Sequence, residues 1–286
     1  MNIDDLKFEK LTLNGVKTLA NWANKEGWNA GIHDAEAYYK TDPDGFYGFR
    51  YEGELIAGGS IVSYNGEFGF MGFFIVKPEY RAHGIGRKLW CHRRDKLLSR
   101  LQKDASIGLD GVVDMQSFYQ KGGFQIAFRD VRYEKKGSTF TIDENISPIE
   151  NTDFETIVAY DKQCFGFARP QFLKPWLQLP LNKTFKYVEN DELKGFAIIR
   201  KTTIGYKVCP LFADNPTVAE ALYQACLNAV DGELLFMDIP MINAAAKALI
   251  EKYDATYVFE CARMYYGNPP KVAIDKIFGI TTFELG

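Results

Sequence analysis

The densest chemistry in the chain lies between residues 73 and 89. A β-like run, Phe73-Phe74-Ile75-Val76, is stopped by Lys77-Pro78, and Arg81-Ala82-His83-Gly84-Ile85-Gly86-Arg87-Lys88 then opens a helix. Glycines at two alternate positions permit positive φ and close backbone approach. Successive N–H groups there can curl into an anion nest at a helix N-terminus, and Arg81, Arg87 and Lys88 bring positive charge to the same place. A pyrophosphate suits such a loop, and a plain helix entry with solvated basic residues is the alternative. A P-loop is excluded, because no Gly-Lys-Ser/Thr closes it. The dinucleotide fingerprint is excluded as well: the spacing is one glycine short and no early β–α–β unit precedes it.

Other chemistries find little material. Cys91, Cys164, Cys209, Cys226 and Cys261 are scattered, odd in number and never in C-x-x-C spacing, which argues against a disulfide framework and for a reducing compartment. His33, His83 and His92 offer no metal-ligand spacing, so no metal is expected. Lysine and arginine number 34 against 37 acidic residues, a net charge of −3, so no basic surplus drives nucleic-acid binding. Met1–Lys10 does not read as a signal peptide. Phe68–Val76 is far short of the ~20 residues of a membrane span. A cytoplasmic protein with neither membrane nor nucleic-acid partners is the expectation.

The elements that must position the loop follow from periodicity. The 286 residues suffice for about two domains. Leu13, Val16, Leu19, Ala20 and Ala23 recur at helical spacing up to Gly27, and Asp34 reads as the N-cap of a short second helix. Asp42-Pro43-Asp44-Gly45 is a turn, followed by strands over Phe46–Tyr51 and Leu55–Tyr64 in a hairpin and a third over Glu67–Val76. A helix over Gly86–Leu101, a short strand at Ile107–Leu109, a short helix at Asp114–Gln120 and a strand over Phe124–Glu134 complete this half. Lys135-Lys136-Gly137-Ser138 is the expected boundary. The pattern then recurs in degraded form: Glu192-Leu193-Lys194-Gly195 matches the first hairpin, Val218–Tyr223 matches Ile85–Trp90, and Met237-Asp238 matches Leu109-Asp110.

Val76-x-Pro78-x-x-Arg81-x-x-Gly84-Ile85-Gly86-x-x-Leu89 resembles the acyl-CoA-binding motif of the GNAT superfamily of N-acetyltransferases, and Phe118-Tyr119-Gln120-Lys121-Gly122-Gly123-Phe124 resembles its second signature. The whole chain is similar to a subgroup in which a second, degenerate GNAT-like domain follows the first. Glu26-Gly27-Trp28-Asn29-x-Gly31-x-x-Asp34 and Phe165-Gly166-x-x-Arg169 fit that subgroup. The resemblance implies an α/β (α+β) fold of two tandem domains, 1–137 with an acetyl-CoA site and 138–286 without one. Each would be a mixed, mainly antiparallel twisted sheet flanked by helices. It also implies that Phe74, Ile75 and Val76 offer backbone to pantetheine and that Ala82, His83, Gly84, Ile85, Gly86 and Arg87, with Arg81, hold the pyrophosphate. Tyr119 would protonate or hydrogen-bond the leaving thiolate.

Many relatives carry a basic carboxylate on the strand before the motif, whereas Phe70-Met71-Gly72-Phe73 offers none. Asp34, Glu26 and Asp110 are the candidates for a base, each with an ordinary reading as an N-cap, a solvated charge or a turn residue. Trp28 and Tyr38 would fall near the acceptor opening, and Arg169 would meet an acidic part of the substrate or form a salt bridge. In the second half Asp214 stands where Arg81 does, and Pro216 removes an N–H from the would-be nest, so no CoA is expected there. The reading is direct acetyl transfer from acetyl-CoA to a primary amine of a small molecule. Alternatives are a non-catalytic acyl-CoA-binding or sensing module and a protein or peptide N-acetyltransferase. Nothing in the sequence decides between a monomer and a homodimer.

Overall fold

A computed structural model describes residues 3–286. The first half contains β1 (Lys7–Lys10), α1 (Leu13–Lys25), α2 (Asp34–Thr41), β2 (Phe46–Tyr51), β3 (Glu54–Tyr64), β4 (Phe68–Val76), α3 (Ile85–Leu98), β5 (Ser106–Val112), α4 (Gln116–Lys121) and β6 (Gln125–Lys136). The second contains β7 (Ile146–Ser147), α5 (Phe154–Phe165), α6 (Pro170–Leu177), β8 (Lys183–Glu189), β9 (Glu192–Lys201), β10 (Tyr206–Ala213), α7 (Pro216–Ala229), β11 (Leu234–Pro240), α8 (Ala244–Lys252), β12 (Thr256–Tyr266) and β13 (Ile277–Gly279).

Local signals explain most of these elements. α1 buries Val16, Leu19, Ala20 and Ala23 on one face and is followed by Gly27 at φ 81°. The β2–β3 hairpin turns through Glu52 and Gly53 at φ 48° and 84°, and β8–β9 turns through Asn190 and Asp191 at φ 51° and 60°. Both turns have the two left-handed residues that match strand twist, so the internal repeat holds at the level of backbone conformation.

The strands form one sheet in the order β1-β2-β3-β4-β5-β12-β6-β11-β10-β9-β8-β7, with β13 on β10. Among the described strands β4–β5 and β10–β11 pair in parallel and the other pairs are antiparallel. The halves exchange strands at the centre. β12 comes from the end of the chain yet lies between β5 and β6, with Arg263 opposite Asp110. β6 in turn pairs with β12 on one side and β11 on the other, with Arg132 opposite Asp238. Lys135 and Lys136 close β6 against Leu235 and Leu234.

Charged residues from both halves are buried along this seam. Arg132 donates to both oxygens of Asp238 at 2.6 and 2.8 Å, and Arg263 to both of Asp110 at 2.6 and 2.9 Å. Asp130 sits between these pairs with neither carboxyl oxygen hydrogen-bonded to a described residue. Burial, reinforced by Asp110, pushes its pKa far above the ordinary 3.8. The native state therefore keeps a proton that the unfolded chain gives up above that pH. The group's contribution to stability is complete below it and falls as pH rises. Asp130→Asn removes this dependence. Compared with wild type, the variant should gain up to about 1.4 kcal/mol of stability for each pH unit above the acid range, read from urea midpoints at pH 5 and pH 7.

Candidate active site

β4 and β5 pair only from Phe68 to Phe70 and Ser106 to Gly108, then part. A bulge starts the parting: opposite β3, three steps on β4 from Ile75 to Gly72 match two on β3 from Gly58 to Ser60, and Phe73 takes φ 48°. Arg93 of α3 spans the irregularity. Its Nη2 donates to the carbonyls of Ser60 and Gly72, while Nε and Nη1 have no partner among the described residues. No carboxylate compensates this guanidinium, and burial brings its pKa down to about 10.

Two cavities follow from the parting. The outer cleft, about 390 Å³, runs along Phe74, Ile75 and Val76 to Arg81, Ala82, Gly86 and Arg87. At its end Ala82 and Gly84 adopt left-handed φ of 65° and 80°, and Gly84 caps the 14-residue α3. Left-handed residues just before a helix N-terminus are the backbone conformation from which anion nests are built. A Cβ on Gly86 would stand 3.6 Å from the Phe74 ring, so any larger side chain would enter the cleft. Arg81 is positioned by the Val76 carbonyl at 2.9 Å and by an ion pair with Glu26. The His83 ring turns back onto the Arg81 carbonyl. Ile85 is buried against Phe49, Ile56 and Leu89, so it contributes backbone and anchorage.

The inner pocket encloses about 60 Å³, and Trp28, Phe74, Val112 and Met115 border both cavities. On the α3 face of the sheet the pocket meets Met71, Trp90, Arg93 and Tyr119; on the other it meets Trp28, Phe283 and Glu284. It thus passes through the sheet where β4 and β5 separate. The Tyr119 hydroxyl has no hydrogen-bond partner among the described residues, and burial raises its pKa, with Arg93 opposing, so the phenol keeps its proton near neutrality. Asp110 also lines the pocket, but Arg263 occupies both its oxygens. Burial raises the Asp110 carboxyl against the pull of that arginine.

Three sequence expectations need correction. Asp34 does not cap α2, since His33 precedes the helix and Asp34 is its first residue. Nor is it an accessible base. Arg200 of β9 donates to both its oxygens at 2.7 and 2.9 Å and the Gly31 N–H to one at 2.8 Å. Burial alone would raise its pKa, but Arg200 lowers it below the ordinary value. Arg169 is no substrate ligand. It is fully buried, bonded to Asp161, the Thr281 hydroxyl and the Gly286 carbonyl, and packed on Phe165. Glu26 faces the outer cleft, tied to Arg81, and is absent from the inner pocket. Trp28 does border both cavities, whereas Tyr38 is buried behind the pocket wall. Sequence reasoning missed Arg93, whose partners lie on strands distant in the chain, and the last residues, 281–286. Their one visible signal was Gly72, a glycine inside a strand.

The second half has the same parting, but only a cavity of about 30 Å³ lies beside it, lined by Phe212, Pro240, Ile277 and Ile280. β10 and β11 pair over three residues, and β13 then lies against β10 while the Ile280 N–H donates to the Asp238 carbonyl of β11 at 2.9 Å. Asp214, opposite in charge to Arg81, accepts from the Tyr160 hydroxyl at 2.8 Å and pairs with Lys276 at 3.0 Å. Among the described residues no cluster suited to a metal occurs, and no helix is long and apolar enough to cross a membrane.

Comparison with known proteins bears on both halves. Residues 13–124 match the acetyltransferase (GNAT) family and residues 157–279 an acetyltransferase (GNAT) domain. A holothin acyltransferase from Pseudoalteromonas sp. (strain SANK 73390) is 28% identical over 273 residues, 93% of this chain and 89% of that protein. Among solved structures, a candidate acetyltransferase from Pyrococcus horikoshii superposes with a TM-score of 0.85 at 22% identity, covering 100% of this chain and 98% of its own. A tandem GNAT protein from the clavulanic acid biosynthesis pathway gives 0.66 at 12% identity, covering 93% and 99%.

If Asp34 serves structure, Asp34→Asn should cost about 3–5 kcal/mol by leaving Arg200 buried without its charge partner. Chemical denaturation would show this as a lowered midpoint.

Proposed function

The chain belongs to the GNAT superfamily of N-acetyltransferases as a tandem member, and from that premise we propose that it moves an acetyl group from acetyl-CoA directly onto a primary amine of a small molecule. One observation carries the reading: the outer cleft, ending in an anion-binding loop, opens into an inner pocket that holds an unpartnered, protonated tyrosine. The nest at Ala82–Arg87 suits a pyrophosphate. Beyond Phe70 the edge of β4 has no strand beside it, so its backbone groups are free for the amides of the pantetheine arm. In this reading the thioester lies where Phe74, Met115 and Trp28 border both cavities, with Tyr119 on the α3 side.

Transfer then needs no covalent enzyme intermediate. The amine nitrogen attacks the thioester carbon, the C–S bond breaks, and Tyr119 gives its proton to sulfur while receiving one from the newly acylated nitrogen. A phenol with a raised pKa would be a poor acid toward a thiolate by itself. The simultaneous return of a proton from nitrogen removes that difficulty. The second half has a different task. With its strand parting filled by β13, it supports the acceptor side through β12 and the C-terminal residues. That enclosure favours a small amine over a protein surface.

Calorimetric titration with acetyl-CoA, followed by thiol release against a panel of amines, tests the proposal. Binding without release from any amine would favour a sensing module, and no binding would end the reading. Gly86→Val should abolish detectable acetyl-CoA binding in the same titration by filling the cleft. Tyr119→Phe should bind acetyl-CoA as wild type does while thiol release falls roughly 10²-fold or more.

A further inference from the structure

We propose that Glu284, third from the end of the chain, is the general base that strand β4 lacks. The inference rests on the acyltransferase reading above. At the position where a strand carboxylate is missing, Gly72 has no side chain, and a Cβ there would stand 2.2 Å from the Glu284 carbonyl oxygen. The glycine admits the chain terminus, which crosses β4 at this point and delivers a carboxylate to the pocket from the far end of the sequence.

The terminus is held as firmly as a strand would be. The Ser60 hydroxyl donates to the Glu284 carbonyl at 3.0 Å, the Tyr64 hydroxyl to that of Leu285 at 2.8 Å, and Arg169 to that of Gly286 at 2.8 Å. The Thr282 hydroxyl accepts from the N–H groups of Glu284 and Leu285. The carboxylate itself is nearly unengaged. Its Oε2 accepts from the Tyr38 hydroxyl at 3.1 Å, and that hydroxyl also faces Asp34 Oδ2 at 3.2 Å, so its single hydrogen serves one of them at a time. Oε1 has no partner among the described residues. Asp110, the other pocket carboxylate, is committed to Arg263 through both oxygens. Glu284 and Tyr119 border the same pocket from opposite faces of the sheet, so a carboxylate can meet the incoming nitrogen while the phenol serves the leaving sulfur. The charged groups around Glu284 are Asp110 on β5, Arg93 on α3, Lys207 on β10, the Asp34–Arg200 pair and Arg132, which packs on Phe283 with Asp238 as its partner.

In this scheme an alkylammonium enters, Glu284 Oε1 takes one proton from nitrogen, and the freed lone pair forms the C–N bond. The thiol proton comes through Tyr119, so the acid released in the net reaction is the proton left on Glu284. Tyr38 is a positioning residue.

The test compares wild type with Glu284→Gln, using an alkylamine and a weakly basic alkoxyamine that is already free base at neutral pH. With the alkylamine, kcat should fall roughly 10²–10⁴-fold, and the residual rate should rise about tenfold per pH unit toward the amine's own pKa, following its free-base fraction. With the alkoxyamine the loss should shrink to a few-fold. Acetyl-CoA binding measured by calorimetry should match wild type and certifies the fold. Should the variant not fold, the smaller Glu284→Asp should show the same amine-dependent loss, reduced in size. An equal loss for both amines, a wild-type pH profile, or a profile altered by Asp110→Asn and not by Glu284→Gln would overturn the proposal. Failure of wild type to release thiol with any amine would instead count against the transferase reading.

Discussion

The separation of β4 from β5 after three paired residues is the constraint on which the rest of the site depends. Parting two strands inside a sheet exposes backbone groups that must find partners. Arg93 takes the carbonyls of Ser60 and Gly72 at the bulge. The edge of β4 beyond Phe70 is left for a ligand, and the gap becomes a passage through the sheet. Arg93 leaves two buried N–H groups unpartnered to do so, a cost of the kind that native structures concentrate at functional sites.

The same parting recurs in the second half and is resolved differently. There β13 supplies the missing backbone partners, and the space left beside it shrinks to about 30 Å³. Of two such openings the chain keeps the first wide and narrows the second with its own backbone. After β13, residues 281–286 run on to the first half's opening, so the segment that closes one parting leads directly into the other.

Exchange of β6 and β12 makes the halves inseparable. Three buried carboxylate–guanidinium pairs, Asp34–Arg200, Asp110–Arg263 and Asp238–Arg132, lie at or beside this seam, and each joins residues of different halves. Buried pairs add little net stability, because desolvation offsets most of the attraction. A strand shifted in register would leave these charges without partners, and that penalty favours one alignment. Asp130 is buried beside them with no hydrogen-bond partner among the described residues.

The sequence by itself determined the elements, the repeat and the glycine loop that opens α3, because each rests on interactions between near neighbours. Helical spacing at Val16, Leu19 and Ala23, the turn at Glu52-Gly53 and the glycines around Arg81 have local physical meanings that no distant residue alters. Residues 46–51 are both the expected and the observed bounds of a strand. Only the tertiary structure decided which carboxylates are free. Asp34, Glu26 and Asp110 were indistinguishable as candidates until Arg200, Arg81 and Arg263 were found beside them, at sequence separations of 166, 55 and 153. Glu284 carried no signal of its own, since an isolated glutamate is ordinarily solvated. Its position depends on a strand exchange and on a glycine more than 200 residues earlier, a pairing of distant surfaces that no local pattern encodes.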